Sequence, residues 1–197
     1  MKNNNSSIKT VVAVGIGAAL FFVLGRFVAI PSPVPNTNIS LQYAVLALLA
    51  AMYGPVAGGL IGFIGHTLID LSWGGSPWWS WVIASAFVGV VVGLFSKKLN
   101  LQEGEFSKKQ AALFALANIV AHLLAWVLVA PVLDIAIYAE PVKKVFAQGA
   151  FAAVSNSITA VVVGGLLVLS SILLIAIDGS KKAKAAGGVT FKKSQFL

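Results

Sequence analysis

The chain has 197 residues, enough for one ordinary domain, with 58% of them hydrophobic and 10% charged, and its mean hydropathy is +0.92. A water-soluble domain covers most of its surface with charge, which 14 Lys+Arg and 6 Asp+Glu cannot do at this size, so the composition excludes a soluble globular protein and makes lipid the solvent. Cysteine is absent, which removes disulfides, thiolate metal sites and cysteine nucleophiles, and the net charge of +8 has to be read by position rather than as a nucleic-acid footprint.

A transmembrane helix needs about 20 mostly apolar residues. The first such run covers 11–30 and stops at Pro31, Pro33 and Pro35, which remove backbone donors and push the residues before them out of helical conformation. Lysines ahead of an apolar stretch also suit a signal peptide. This run is as long as a full span, however, and no small-x-small cleavage site precedes the prolines, so a retained helix is expected. The short run 39–53 is followed by Gly54-Pro55, a turn signal, and the third run, 56–71, by the turn-rich stretch 72–77. The fourth run, 79–96, ends at Lys97-Lys98 and the polar stretch to Lys109. The fifth covers 110–130, residues 131–145 are mixed, and 146–177 is one long apolar run able to hold a tilted helix.

Charge decides whether 39–53 and 56–71 are two spans or one kinked helix. Six spans with the N-terminus inside leave only Arg26, Lys143 and Lys144 outside and put the other eleven basic residues in the cytoplasm, whereas merging the two runs leaves four inside and ten outside. The positive-inside rule therefore predicts an all-α integral membrane protein: a six-transmembrane-helix bundle, multi-pass in the plasma membrane, with both termini cytoplasmic. Its single membrane domain covers 1–177, and a basic cytoplasmic tail drawn to anionic lipid covers 178–197.

In lipid, helices associate through small residues that let backbones approach. Ser85, Gly89 and Gly93 in the fourth helix and Asn156, Ala160 and Gly164 in the sixth recur at spacing four and read as internal packing. The first helix carries two such pairs, Ala13/Gly17 and Gly15/Ala19, more than one internal contact needs. These four are the candidate face for docking another membrane protein.

The polar residues of the spans gather toward the outer side. Gly58, Gly62, His66 and Asp70 form one stripe of the third helix. An ionisable pair inside a span is costly unless it faces a cavity or partner, so His66 and Asp70 are candidate ligand groups, with a structural hydrogen bond as the alternative. Arg26 either snorkels to headgroups or meets a ligand or an acidic partner such as Asp70, Asp134 or Glu140. Asn118 and His122, four apart, read as a buried hydrogen-bonding pair. Trp73, Trp78, Trp79 and Trp81 beside Gly74-Gly75 and Pro77 suit a lid or stacking platform for a large flat ligand. Asn36, Thr37 and Asn38 in the first outer loop, and Asp134, Tyr138, Glu140 and Gln148 around the last, supply hydrogen-bonding groups on the same side. The candidate substrate-binding set is Arg26, Asn36, Asn38, Tyr43, His66, Asp70, Trp78, Trp79, Trp81, Tyr138 and Gln148. No G-x-x-x-x-G-K-[ST] loop and no H-E-x-x-H is present, and the halves show no repeat of broken helices. Neither a catalytic site, a metal nor a cofactor is expected.

The runs Gly25-Arg26-Phe27, Pro35-Asn36-Thr37-Asn38-Ile39, the glycine-rich stretch 58–66, Gly75-Ser76-Pro77-Trp78-Trp79-Ser80-Trp81 with its continuation to Ser85, and 134–141 resemble the substrate-binding S components of energy-coupling factor (ECF) vitamin transporters, in a group associated with riboflavin and cobalamin. The similarity covers about residues 8–175. It implies a vitamin captured at the extracellular side, a membrane scaffold (T) subunit and two cytoplasmic ATPases as partners, no nucleic acid, and the alanine/glycine face of the first helix set against the scaffold. Between the two vitamins the residues favour cobalamin, whose amide-rimmed disc suits four tryptophans and several neutral Asn/Gln groups, with riboflavin as the alternative. From another class, a membrane-embedded enzyme would use His66 and Asp70 as base and orienter but lacks a nucleophile or metal set.

Overall fold

The computed structural model describes residues 2–104 and 106–185. Helix α1 (Lys2–Phe27) gives way to a hairpin of two-residue strands, β1 (Ile30–Pro31) and β2 (Asn38–Ile39), antiparallel with Ile30 opposite Ile39 and Pro31 opposite Asn38. The composition had promised helices alone. The hairpin arises because the proline-rich turn closes on itself: Thr37 Oγ1 donates to the Val34 carbonyl at 2.6 Å, Ser32 and Thr37 share a hydrogen bond of 2.5 Å, and Asn36 takes the left-handed conformation at φ 58°.

Helices α2 (Gln42–Tyr53) and α3 (Pro55–Ser72) meet at Gly54, whose φ of 90° and ψ of −177° suit glycine, and Pro55 opens α3 at a position where its missing N–H costs nothing. The pair folds back as an antiparallel hairpin of helices, because a Cβ built on Gly58 would strike Ala50, and Tyr43 and His66 both bond Ser85. Two helices, not one kinked helix, occupy 42–72. The next helix, α4 (Trp79–Leu94), lies so close to α3 that a Cβ on Gly89 would collide with the Gly58 carbonyl and one on Gly62 with the Ser85 carbonyl. The fourth-helix row of Ser85, Gly89 and Gly93, expected to pack internally, does so here by backbone-to-backbone approach.

A short α5 (Ser96–Leu99) and a 3-10 turn (Leu101–Glu103) carry the chain to α6 (Lys108–Leu123), which starts with a capping box between Ser107 and Gln110. The fifth apolar run does not stop at Pro131. A π-helical stretch (Leu124–Val129) widens the turn ahead of the proline and takes up its misfit, so that α7 (Ala130–Tyr138) continues the same rod. Ala139 then closes it in the left-handed conformation and Pro141 precedes α8 (Val142–Ile158). A second π segment (Thr159–Val163) joins α8 to α9 (Gly164–Ala185). The expected boundary at 178 is not a break, since α9 runs through it, and the rest of the expected tail, 186–197, lies outside the described residues.

An aromatic column fills the centre: Phe21 meets Tyr43 edge-on at 5.3 Å, Tyr43 meets Trp126 at 5.6 Å, and Trp126 meets Trp81 at 5.2 Å. Large apolar side chains such as Val11, Leu94, Leu116, Val154 and Leu174 point outward, as lipid contact requires. Among the described residues, four helices are long and apolar enough to cross a membrane, a bent pair at 79–103 makes a fifth, and α2, with 12 residues, falls short.

The four small residues of α1 divide between two faces. Ala13 and Gly17 turn inward, Gly17 against Leu49 and Ile61, while Gly15 and Ala19 are exposed and a Cβ on Gly15 would meet nothing within 4 Å. The four expected docking residues therefore do not share one face, because residues two apart on a helix do not point to one neighbour, and the outward pair is Gly15 and Ala19.

Candidate ligand site

A cavity of about 440 Å³ opens where the 30–39 hairpin, the turn between α3 and α4, and the α7–α8 junction converge. These are the three segments that the charge count placed on one side. Eight of the candidate residues line it: Asn36, Asn38, Tyr43, His66, Asp70, Trp78, Trp81 and Gln148.

Three of the expected ligand residues do not line the cavity. Arg26 forms no ion pair with Asp70, Asp134 or Glu140; its guanidinium lies 3.8 Å over the Trp73 ring, and Trp73 is the one that lines the cavity. Trp79, the first residue of α4, points away and stacks on Phe63 at 6.1 Å, so its neighbours Trp78 and Trp81 reach the cavity and it does not. Tyr138 stands behind Trp78, ring on ring at 4.0 Å, and its hydroxyl accepts the Trp79 backbone N–H at 2.9 Å.

Asp134 organises this wall. It is 2% exposed, and its carboxylate accepts hydrogen bonds from Trp78 Nε1 at 2.6 Å, from Trp81 Nε1 at 2.9 Å, and from the Ser80 hydroxyl. A buried carboxylate is tolerated when its lone pairs are filled in this way, and the consequence is two indoles held in fixed orientation. Across the cavity, Gln148 Nε2 donates to the Pro35 carbonyl at 2.8 Å and ties the hairpin to α8. Lys144 pairs with Glu140 at 2.7 Å.

Sequence reasoning passed over Gln42, Lys144 and Asn156, which also line the cavity. Asn156 sits in a row with Ala160 and Gly164 and so resembled a packing residue, and Gln42 and Lys144 stand at helix starts where polar residues are unremarkable. Asn118 and His122 are fully buried but do not bond each other: Asn118 donates to the Phe114 carbonyl and His122 Nδ1 accepts from Trp126 Nε1 at 2.9 Å.

The model for the ECF-type riboflavin transporter S component family matches residues 5–172. The chain belongs to this family. It is 52% identical over 168 residues to a protein of Clostridium perfringens called UPF0397 protein, covering 85% of this chain and 91% of the relative. It is 53% identical over 167 residues to a Lactobacillus helveticus protein of the same name, covering 85% and 90%, and 50% identical over 182 residues to one from Exiguobacterium, covering 92% and 100%. No solved structure matches.

As an S component the protein is a membrane protein and a substrate-binding transporter subunit rather than an enzyme, and S components work with a T subunit and ATPases in an ECF complex. The enzyme alternative for His66 and Asp70 falls with this assignment. The preference for cobalamin finds no support either, since the family's name carries riboflavin.

Proposed function

We propose that this S component captures riboflavin, or a closely related planar vitamin, in the cavity at the outer ends of its helices and delivers it through an ECF complex. The observation that carries this reading is the cavity itself. At about 440 Å³ it falls in the lower part of the range for small-molecule pockets, about 300–1,000 Å³. That is room for a fused tricyclic ring with a short polar chain, whereas a corrin macrocycle with its amide arms and nucleotide loop outgrows it. Trp78 and Trp81 offer stacking faces, and Asn36, Asn38 and Gln148 offer neutral hydrogen-bonding groups. The charged residues on the wall are Asp70, Asp134, Glu140 and Lys144, an acidic excess that suits a neutral vitamin and disfavours a phosphorylated one.

The same reading includes six spans with both termini cytoplasmic, supported by the division of basic residues, and docking to the T subunit through Gly15 and Ala19, supported by their exposure on α1. Calorimetric titration of the purified protein with riboflavin and, separately, cobalamin tests the ligand. Riboflavin should bind and cobalamin should not; the reverse result overturns the reading. Cysteines introduced at Ser76 and Ser180 should label from opposite sides of the membrane, and labelling from one side defeats the topology.

A further inference from the structure

Behind the cavity wall a chain of side chains runs from Asp70 into the core. His66 Nε2 lies 3.7 Å from Asp70 Oδ1, His66 Nδ1 lies 2.5 Å from Ser85 Oγ, and Ser85 Oγ lies 2.8 Å from the Tyr43 hydroxyl. The protons of this chain are ordered from both of its ends. A carboxylate beside Nε2 attracts a proton there and repels a bare lone pair. With the proton on Nε2, Nδ1 is an acceptor and Ser85 donates to it, and Ser85 Oγ in turn accepts from Tyr43. Ser85 is completely buried, so no water competes for these bonds.

The outer end of the chain is unfinished. A separation of 3.7 Å exceeds hydrogen-bond distance, so His66 and Asp70 do not satisfy each other. Both side chains line the cavity and keep 10% and 18% of their surface accessible. Asp70 is not free to turn away, because its second oxygen accepts the Trp78 backbone N–H at 2.8 Å. The cavity wall thus presents a fixed N–H donor and a fixed carboxylate acceptor side by side.

We propose that His66 and Asp70 together read an imide or amide edge of the ligand's ring, Asp70 accepting the ring N–H and His66 Nε2 donating to the adjacent carbonyl, with Ser85 and Tyr43 as positioning residues that hold the imidazole in the donating tautomer. This inference rests on the riboflavin reading and specifies which edge of the isoalloxazine enters first: the pyrimidine-dione end points to α3, and the sugar-alcohol chain is left toward the mouth.

The test compares riboflavin with riboflavin methylated on its imide nitrogen, by calorimetric titration of the native protein. Blocking the ring N–H leaves Asp70 without its donor and should lower affinity by about tenfold or more, and Asp70→Leu should bind the two flavins equally and more weakly. Nitrogen NMR of protein with isotope-labelled histidine, simplified by the presence of only two histidines and assigned with His66→Gln, should show His66 protonated on Nε2. Ser85→Ala should turn that signal into a tautomer mixture. Equal affinity of the native protein for both flavins overturns the edge recognition and leaves the vitamin reading standing, whereas absence of riboflavin binding overturns both. A His66 signal protonated on Nδ1 overturns the role given to Ser85 and Tyr43.

Discussion

Trp78 and Asp134 stand 56 residues apart in the chain, yet the indole N–H of one donates to the carboxylate of the other at 2.6 Å. The bond joins the start of α4 to α7 in the cavity wall, and Ser80 and Trp81 share the same carboxylate. Replacing Asp134 by Ala leaves these donors without their acceptor. Each buried unsatisfied group costs about 1–3 kcal/mol, so Asp134→Ala should lower the unfolding temperature in detergent and abolish ligand binding. Asp134→Asn should retain part of both.

The two tryptophans on either side of Ser80 should behave differently. Trp81 lines the cavity, whereas Trp79 stacks on Phe63 outside it. Trp81→Ala should weaken riboflavin binding by at least the stacking contribution, about 0.5–1.5 kcal/mol. Trp79→Ala should leave affinity within about twofold of native. Titration of both variants under one set of conditions checks the contrast, and equal losses would mean that the orientation assigned to α4 is wrong.

Gln148 holds the hairpin through one hydrogen bond to Pro35. Gln148→Ala should cost about 0.5–1.5 kcal/mol in affinity, seen mainly as faster ligand release in stopped-flow fluorescence, because the hairpin lining the cavity is no longer tied to α8. Release at the native rate would mean that the hairpin does not retain the ligand.

Two glycine substitutions separate packing from docking. A Cβ at Gly89 meets the Gly58 backbone, which has no side-chain freedom with which to yield, so Gly89→Ala should destabilise by about 1–3 kcal/mol in thermal unfolding. Gly15→Leu, on the open side of α1, should leave stability and riboflavin binding unchanged while abolishing uptake by the assembled transporter. Uptake at the native level would remove Gly15 from the docking face.

Much of this architecture was legible in the residues. Apolar runs bounded by prolines, Gly54-Pro55 and lysine pairs marked the helices, because in lipid a helix is the cheapest way to satisfy every backbone group. The charge asymmetry gathered the three loops that close on the cavity. The tryptophans were recognised as a group but not individually, since consecutive helix residues point about 100° apart and only packing against Phe63 and Asp134 decides which of Trp78, Trp79 and Trp81 turns inward. Pro131 misled for a physical reason: a proline ends a regular α-helix, and the π turn that rescues it leaves no distinct mark in Leu124–Val129. Asn156 was hidden by company, being one polar residue in a row of small ones.

The shortness of α2 has a consequence for where a bound molecule rests. Twelve residues of helix extend about 18 Å, against a hydrocarbon core of about 30 Å, and the residues at its upper end, Gln42 and Tyr43, form cavity wall rather than continuing outward. On the proposed reading the ligand sits at the end of α2, where a helix of full spanning length would continue. A guest there stands in for missing protein. Occupancy and helix length are then exclusive uses of the same space, and inserting one turn of alanines ahead of Gln42 should evict the vitamin by simple exclusion while leaving the bundle beneath it assembled.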